Sequence, residues 1–540
     1  MPDKELPSFG IYYYSRPKLE ELLTRYPATA ATISSKLHLD YFDGYFDALD
    51  AKLIVVEHRY VDRDYLEDYA AYYVRCFEDY ERYCKRLHFF SCEIALDKVE
   101  KIIRGESDKA DIEALRQGYL GFVVAKPLPT TVIGRTCLIT YPSNGSRYFP
   151  NTRDYDAHLF GLDLKIQNTL AFQEQDNVVA ACATSALWSV FQGTGKLFQH
   201  PIPSPVEITK AAAERLPSNT RLLPNRGLNL EMMAHAIRSV GLEPFLINGA
   251  ATADSDHYSL KGTAYAYLQG RIPMILGITL VDTSHNPAKW MGKHAVALTG
   301  FNLGNGAIQP YGPTGFRLRA SRIDKFYVHD DQVGPFARMI FDGVKITYEL
   351  SPNDPIGPAA SIATSWRGDD QKIASGRALS EMLLIPLYHK IRVPFNTIHD
   401  GVLKFDSFVS KLLQAGPEPL TENLEWDIIL TTLIDVKSGI RGNEGMPPKR
   451  KAALLTQPFP RFIWRATALA GDKKVFDLLF DATDIEQGQC LVDVVEYDQK
   501  LSEILHVVFE DINVENIQKH RFAAAIARWF REHPFNEIWE

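Results

Sequence analysis

Along this chain, short continuous apolar runs, apolar residues stepped by three and four, and polar gaps mark out the expected elements. The run Leu-Ile-Val-Val-Glu at 53–57 reads as a strand. Over 64–87, Leu66, Tyr69, Tyr73, Phe77, Tyr80, Cys84 and Leu87 recur at helical spacing. They predict one long amphipathic helix whose aromatic stripe packs in a core. Strands are expected at 119–125 and 136–141, bounded by proline and glycine, and 147–156 reads as a linker or surface loop. From Cys182 onward, Ala183, Ala186, Leu187, Val190 and Phe191 follow a buried-face helical pattern, with Gly193 as its expected stop.

Further on, Ser204, Pro205 and Glu207 form a capping-box pattern. A helix should follow Asn229, with Leu230, Met233, Ile237 and Val240 on one face. Residues 250–257 read as a polar loop able to rim a cleft. Strands are expected at 274–280, from His294 to Gly300, and at 326–331. A break is expected at 351–355, strands at 383–388 and 462–466, a loop at 437–450 and a helix at 522–530. These signals divide the chain into 1–156, 157–345 and 346–540, with α/β character in both flanking segments.

Composition narrows the class. At 540 residues, two to four domains are expected. A content of 46% hydrophobic and 23% charged residues is that of folded globular protein. The net charge of −8 speaks against nonspecific nucleic-acid binding. No apolar run reaches the length of a membrane span, and the first residues have no signal-peptide core. The six cysteines lack metal-type spacing, so a reduced, cytoplasmic setting is expected, with Cys182 free.

Three residues then stand out. A cysteine at a helix start meets unpaired N–H groups and the positive end of the dipole, which favour a thiolate nucleophile. Taken alone, Cys182 is more readily read as a small buried core residue. His294 changes that reading: it opens an apolar strand pattern, where its ring can face a cleft. Gln175, seven residues before Cys182, can turn its amide toward the sulfur and bind a developing oxyanion. His235, His257 and His285 show no partner at metal-ligand spacing. Asp477, Asp481 and Asp484 read as a solvated turn rather than a metal site. No cofactor is expected.

Gln175, the Cys182 helix and Lys293-His294-Ala295-Val296, with Ser204-Pro205-Val206-Glu207, Arg226-Gly227-Leu228 and 267–276 between them, resemble papain-like cysteine peptidases. The bacterial branch similar to the C39 peptidases is the nearest in pattern. The resemblance covers about 160–345 and implies an α+β papain-like core, with the Cys182 helix packed on an antiparallel sheet carrying His294. It also implies that Gln175 rather than Gln173 is the oxyanion donor. The third member would be an Asp or Asn on the strand after the histidine strand. Asn302, Asp330 and Asp331 are the candidates, and Asp330 is preferred; the long interval from His294 implies an inserted hairpin. The implied activity is thiol hydrolysis of a peptide or protein amide through an acyl-thioester. A related deamidase or transferase, or a silent binding protein on the same fold, are the alternatives. The flanking segments leave room for a regulatory protein partner.

Overall fold

The computed structural model describes residues 8–539 except 143, 177, 180, 215–222, 224–226, 250–256, 351–354, 416–422, 484–489 and 512–520. The polar stretch 250–257 and the break at 351–355 fall almost entirely outside the described residues, as does Asp484. The protein is a mixed α+β chain with five-, ten- and six-stranded sheets. It divides into two compact units, each built from three chain segments. One comprises Met1–Asp256, Arg271–Asn302 and Asp324–Pro386; the other comprises His257–Gly270, Leu303–Ile323 and Leu387–Glu540. This division runs across the expected boundaries at 156 and 345.

In the first unit, the five-stranded sheet takes its strands in chain order: Phe9–Tyr13, Leu53–Tyr60, Cys84–Phe90, Tyr119–Ala125 and Ile133–Leu138. Every pair is antiparallel. The expected α/β character of this segment is therefore corrected to α+β. The run at 53–56 is apolar on both faces because both faces are covered. Leu53 and Val55 join a core with Trp188 and Phe191 of the Cys182 helix. Ile54 and Val56 join another with Phe42 and Phe46 of the helix Leu37–Ala48.

The predicted long helix at 64–87 is instead a helix at Arg63–Ala71, a 3-10 turn at Tyr73–Arg75 and a strand from Cys84. The helical spacing of Cys84 and Leu87 gives way to strand pairing on both sides, because cross-strand burial outweighs the weak local preference. The expected linker also carries strands, Arg147–Tyr148 and Arg153–Leu159. The first of these pairs with the end of the His294 strand.

The ten-stranded sheet holds the strands that matter most. Met274–Asp282 is hydrogen-bonded to Gly376–Leu387, and the order continues through Ile362–Ala363, Gly334–Ile340 and Ile323–Asp330 to Ala288–Leu303. The last of these pairs back antiparallel to Met274–Asp282, with Ile278 opposite His294, so the path closes into a ring. His294 was expected to open its strand, but the strand starts at Ala288. Residues 289–293 form its largely exposed stretch, and continuous burial begins at His294.

The second unit carries the six-stranded sheet, which includes Glu425–Thr432, Phe462–Ala470, Lys473–Asp481 and Leu491–Glu496. Its edge is the hairpin Pro310–Tyr311 and Phe316–Leu318, inserted in the chain between His294 and Asp330. These pairs are antiparallel except Phe316–Leu318 with Glu425–Thr432. The α/β expectation for the last segment is corrected to α+β as well. The expected loop at 437–450 is largely helical, with Leu433–Gly442 and Pro448–Thr456.

Candidate functional site

The helix bearing the cysteine is Cys182–Phe198. It begins at Cys182 and runs past Gly193 to a left-handed cap at Gln199. Gly193 and Gly195 are not stops: a Cβ at either would lie 2.9 Å from Pro273 or 2.7 Å from Ile202, so both admit close packing. The N-cap, Ala181, has no side-chain oxygen to bond the first-turn amides. The backbone N–H of half-buried Cys182 opens the helix, where the dipole favours a thiolate or an oxyanion.

Gln175, Cys182 and His294 line one cleft of 1010 Å³ in the first unit. Leu228, Met233, Leu246, Ile278 and Met382 give it an apolar wall. On its lining, the Lys293 ammonium donates to Glu381 at 3.1 Å. Gln173 is buried, does not line the cleft, and has no hydrogen-bond partner for its Nε2 among the described residues.

His294 is buried, and its Nε2 donates to Asp330 Oδ1 at 3.0 Å. The Cys182 side chain lies close enough to the ring to act on its charge. Because Nε2 is occupied by Asp330, Nδ1 is the nitrogen left for the sulfur. Asp331 Oδ1 lies 3.5 Å from the same Nε2. Asp330 also accepts from Trp366 Nε1–H at 2.8 Å and from the Gln332 backbone N–H at 3.1 Å. The Trp366 ring stands edge-on to the imidazole, with centroids 5.2 Å apart.

The electrostatics follow this geometry. Burial alone would lower the His294 pKa, but the charges of Asp330 and Asp331 and the hydrogen bonds to Asp330 and Cys182 raise it well above the usual range. For Asp330, burial pushes upward; the charge and hydrogen bond of His294 and the donors Trp366 and Gln332 outweigh it, so its carboxyl is lowered. Asp331 is pushed up to about 6, chiefly by burial and further by Asp330, while His294 opposes the rise. The arrangement can take a proton from the thiol, hold it on a clamped imidazole, and present two kinds of N–H donor to an oxyanion.

Of the sequence candidates, Gln175, Cys182, His294 and Asp330 are brought together. Asn302 is not: its amide donates to Asp324 at 2.7 Å, at the far end of the strand. Trp366 was missed, because no local pattern joins a tryptophan after a two-residue strand to acids 36 positions earlier.

Two groups of side chains have donor atoms at ligand-like spacing among the described residues. One corrects the reading of His285, which meets Asp282 and Asp369. There, however, Asp282 already accepts from Ser284 and from the Asp369 amide, and Lys289 occupies the same Asp369 oxygen as His285 at 3.0 Å. The other group is His294, Asp330 and Asp331, whose donors are committed to one another. We read it as a proton-bearing set. Asp477 accepts from Thr467 and Tyr497, and Asp481 from Thr483, which accounts for both without a ligand.

Among the described residues no helix is long and apolar enough to cross a membrane. No protein-family model matches the chain, and no curated protein matches it, so the chemistry of the site is argued from its geometry.

Proposed function

We propose that the protein is a thiol hydrolase with a papain-like core, a cysteine peptidase that cleaves an amide bond through an acyl-thioester on Cys182. The observation that carries this reading is the convergence of Cys182, His294 and Gln175 on one cleft, with the far nitrogen of His294 held by Asp330. A cysteine helix beside an antiparallel pair carrying the histidine supports the papain-like assignment.

In the proposed cycle, His294 Nδ1 takes the thiol proton and the Cys182 thiolate attacks the substrate carbonyl carbon. The oxyanion is received by the Cys182 backbone N–H and the Gln175 amide. As the tetrahedral intermediate collapses, the carbon–nitrogen bond breaks and the imidazolium gives its proton to the leaving amine. Water, deprotonated by the same imidazole, then attacks the thioester and frees the thiol. Asp330 fixes the ring orientation and favours its charged form. A deamidase or transferase would share the thioester and differ only in which amine leaves and which nucleophile arrives.

The test is labelling of the full chain by a peptidyl electrophile directed at thiols, followed by hydrolysis of a peptide library. Labelling at Cys182 that is lost in His294→Ala, together with cleavage lost in Cys182→Ala, is expected. Labelling no faster than at the other five cysteines would remove the reading.

A further inference from the structure

We propose that Asp331 is a second carboxylate partner of His294, a positioning residue that acts with Asp330 to keep the imidazole charged beside Cys182. The proposal rests on the reading of Cys182 and His294 as a proton-exchanging pair.

Consecutive residues of a strand point to opposite faces, so Asp330 and Asp331 should not both meet one ring. The fold departs from that rule here. The register slips between Val328 and Asp330, and the strand ends in a turn closed by the Val333 N–H on the Asp330 carbonyl at 3.0 Å. Gly334, at φ +154°, completes the turn, and a Cβ there would lie 2.3 Å from the Tyr41 ring. The result places both carboxylates within 3.5 Å of one imidazole nitrogen.

Hydrogen-bond accounting separates the two acids. Both Asp330 oxygens have N–H donors, from His294, Gln332 and Trp366. Asp331 Oδ2 accepts from the Gln332 side chain at 3.1 Å, but its Oδ1 is buried without a hydrogen bond among the described residues and lies 3.5 Å from His294 Nε2. A buried carboxylate oxygen without a donor is costly unless a cation compensates it. The groups around the pair are Cys182 across the ring and His38 on the helix Leu37–Ala48, with the Lys36–Glu174 ion pair behind His38. His38 contacts the Asp331 carbonyl rather than its carboxylate, at 2.9 Å, and burial lowers its pKa. Among the described residues, no lysine or arginine is paired with either acid. The imidazolium is thus the compensating cation for both.

Two anions on one cation leave an excess charge in a dry site. On acidification, Asp331 takes the first proton and weakens the hold on His294, which ties thiol reactivity to pH through a residue that touches no substrate.

The experiment is the pH profile of Cys182 alkylation by iodoacetamide in the full chain, read by mass spectrometry. It needs no substrate, so it stands apart from the peptidase assignment. The alkaline limb reports loss of the imidazolium proton. Asp331→Asn is expected to move that limb down by about one pH unit, and Asp330→Asn by more, as befits an opposite charge removed at short range. Asp331→Glu should restore most of the shift. Gln332→Met, which strips Asp331 of its side-chain donor but keeps both acids, is expected to move the acid limb up. It also serves if Asp331→Asn fails to fold. An Asp331→Asn profile superimposed on the wild type, or an unmoved acid limb in Gln332→Met, overturns the proposal. A wild-type profile identical to that of His294→Ala overturns it together with the proton-exchanging pair.

Discussion

Gln173 and Gln175 would face the same side of an extended segment, yet only Gln175 reaches the cleft. The reason lies between them. Glu174 is pinned by its own N–H to the Ile133 carbonyl, and its carboxylate accepts from the Ile133 N–H. Beyond it, Asp176 turns the chain by accepting from the N–H groups of Val178 and Val179 at 2.7 and 3.2 Å. The pairing to Ile133 is made at Glu174 and the Asp176 turn follows it, so the two amides part company. Gln175→Ala is expected to cut turnover by about 10²–10³, roughly 3–4 kcal/mol, with a much smaller change in KM, because the donor acts on charge that develops in the transition state. Gln173→Ala should leave turnover nearly unchanged. Once a cleaved peptide is found, equal effects at both positions would mean that neither amide serves the oxyanion.

At the scale of elements, the loop before the Cys182 helix is braced from the N-terminal part of the chain. The Tyr73 hydroxyl donates to Asp176 Oδ2 at 2.5 Å, on the carboxylate that caps this loop. The helix itself is tied by Trp188 Nε1–H to Asp64 at 3.1 Å, and Arg135 donates to the same oxygen at 2.6 Å. Tyr73→Phe should destabilise the unit by about 1–3 kcal/mol, since it strips a donor from a buried carboxylate. It should also slow alkylation of Cys182 relative to Cys92, because the loop carrying Gln175 loses its anchor. Melting curves and site-resolved alkylation would read the two effects, and an unchanged Cys182 rate would make the brace purely structural.

These braces also show what could be read from the sequence. The cysteine helix, the capping box at Ser204 and the strands after Leu53 and Met274 carry their own local signals, and they lie where those signals put them. The strand at Cys84–Phe90 does not, because its pairing partners lie 24 to 40 residues away and its aromatic spacing also fits a helix. Asp330 could be named as a candidate. Trp366 and the shared approach of Asp331 could not, since both depend on a register slip and a loop return that no local pattern records.

Across the first unit as a whole, buried neutral histidines make acid a specific threat. His329 donates from Nε2 to the Leu170 carbonyl at 3.0 Å and accepts from the Phe336 N–H on Nδ1, so a second proton has no place. Burial takes its pKa down to about 3. Burial also takes His88 down to about 4, against the pull of Glu57. Both folded values lie below the unfolded value of about 6.5, so the unfolded chain binds more protons below that pH. Their stability contribution is present above 6.5 and is lost as pH falls toward 4 and 3, at up to about 1.4 kcal/mol per pH unit for each. His294 has the opposite sign. Its raised value gives a contribution fully present below 6.5 and lost only as pH rises through that value. Asp331, raised to about 6, offsets part of the acid loss between 6 and 4. A His329→Gln variant isolates one histidine, since an amide can supply the same donor and acceptor. The stability gap between wild type and this variant should fall by about 2 kcal/mol from pH 6.5 to 5, measured by urea unfolding. Parallel pH curves for the two proteins would reject the assignment.

The same whole-chain view bears on how the protein can be cut. A boundary near 346 suggested by the sequence invites removal of the last third, but the two units are interleaved in the chain. The helix Tyr258–Gln269 belongs to the second unit: its Tyr265 hydroxyl donates to Asp427 at 2.8 Å, and Gly270 packs against Leu430. The hairpin Pro310–Tyr311 and Phe316–Leu318 adds its second strand to Glu425–Thr432 and buries Phe316 and Leu318. A chain ending at 386 would keep this helix and hairpin and lose the sheet that covers them. Each large apolar side chain left bare forfeits about 1.5–3 kcal/mol of burial. Both segments sit in the stretch of chain between Cys182 and Asp330. Truncation at 386 is therefore expected to give an aggregating product with little selective alkylation of Cys182, although every candidate catalytic residue is retained. Replacing 258–269 and 304–322 by short flexible linkers in the truncated chain should recover soluble protein, because the orphaned apolar faces go with them. Soluble, selectively labelled protein from the simple truncation would show that these segments fold without the second unit's sheet, and the interleaving would then carry no energetic weight.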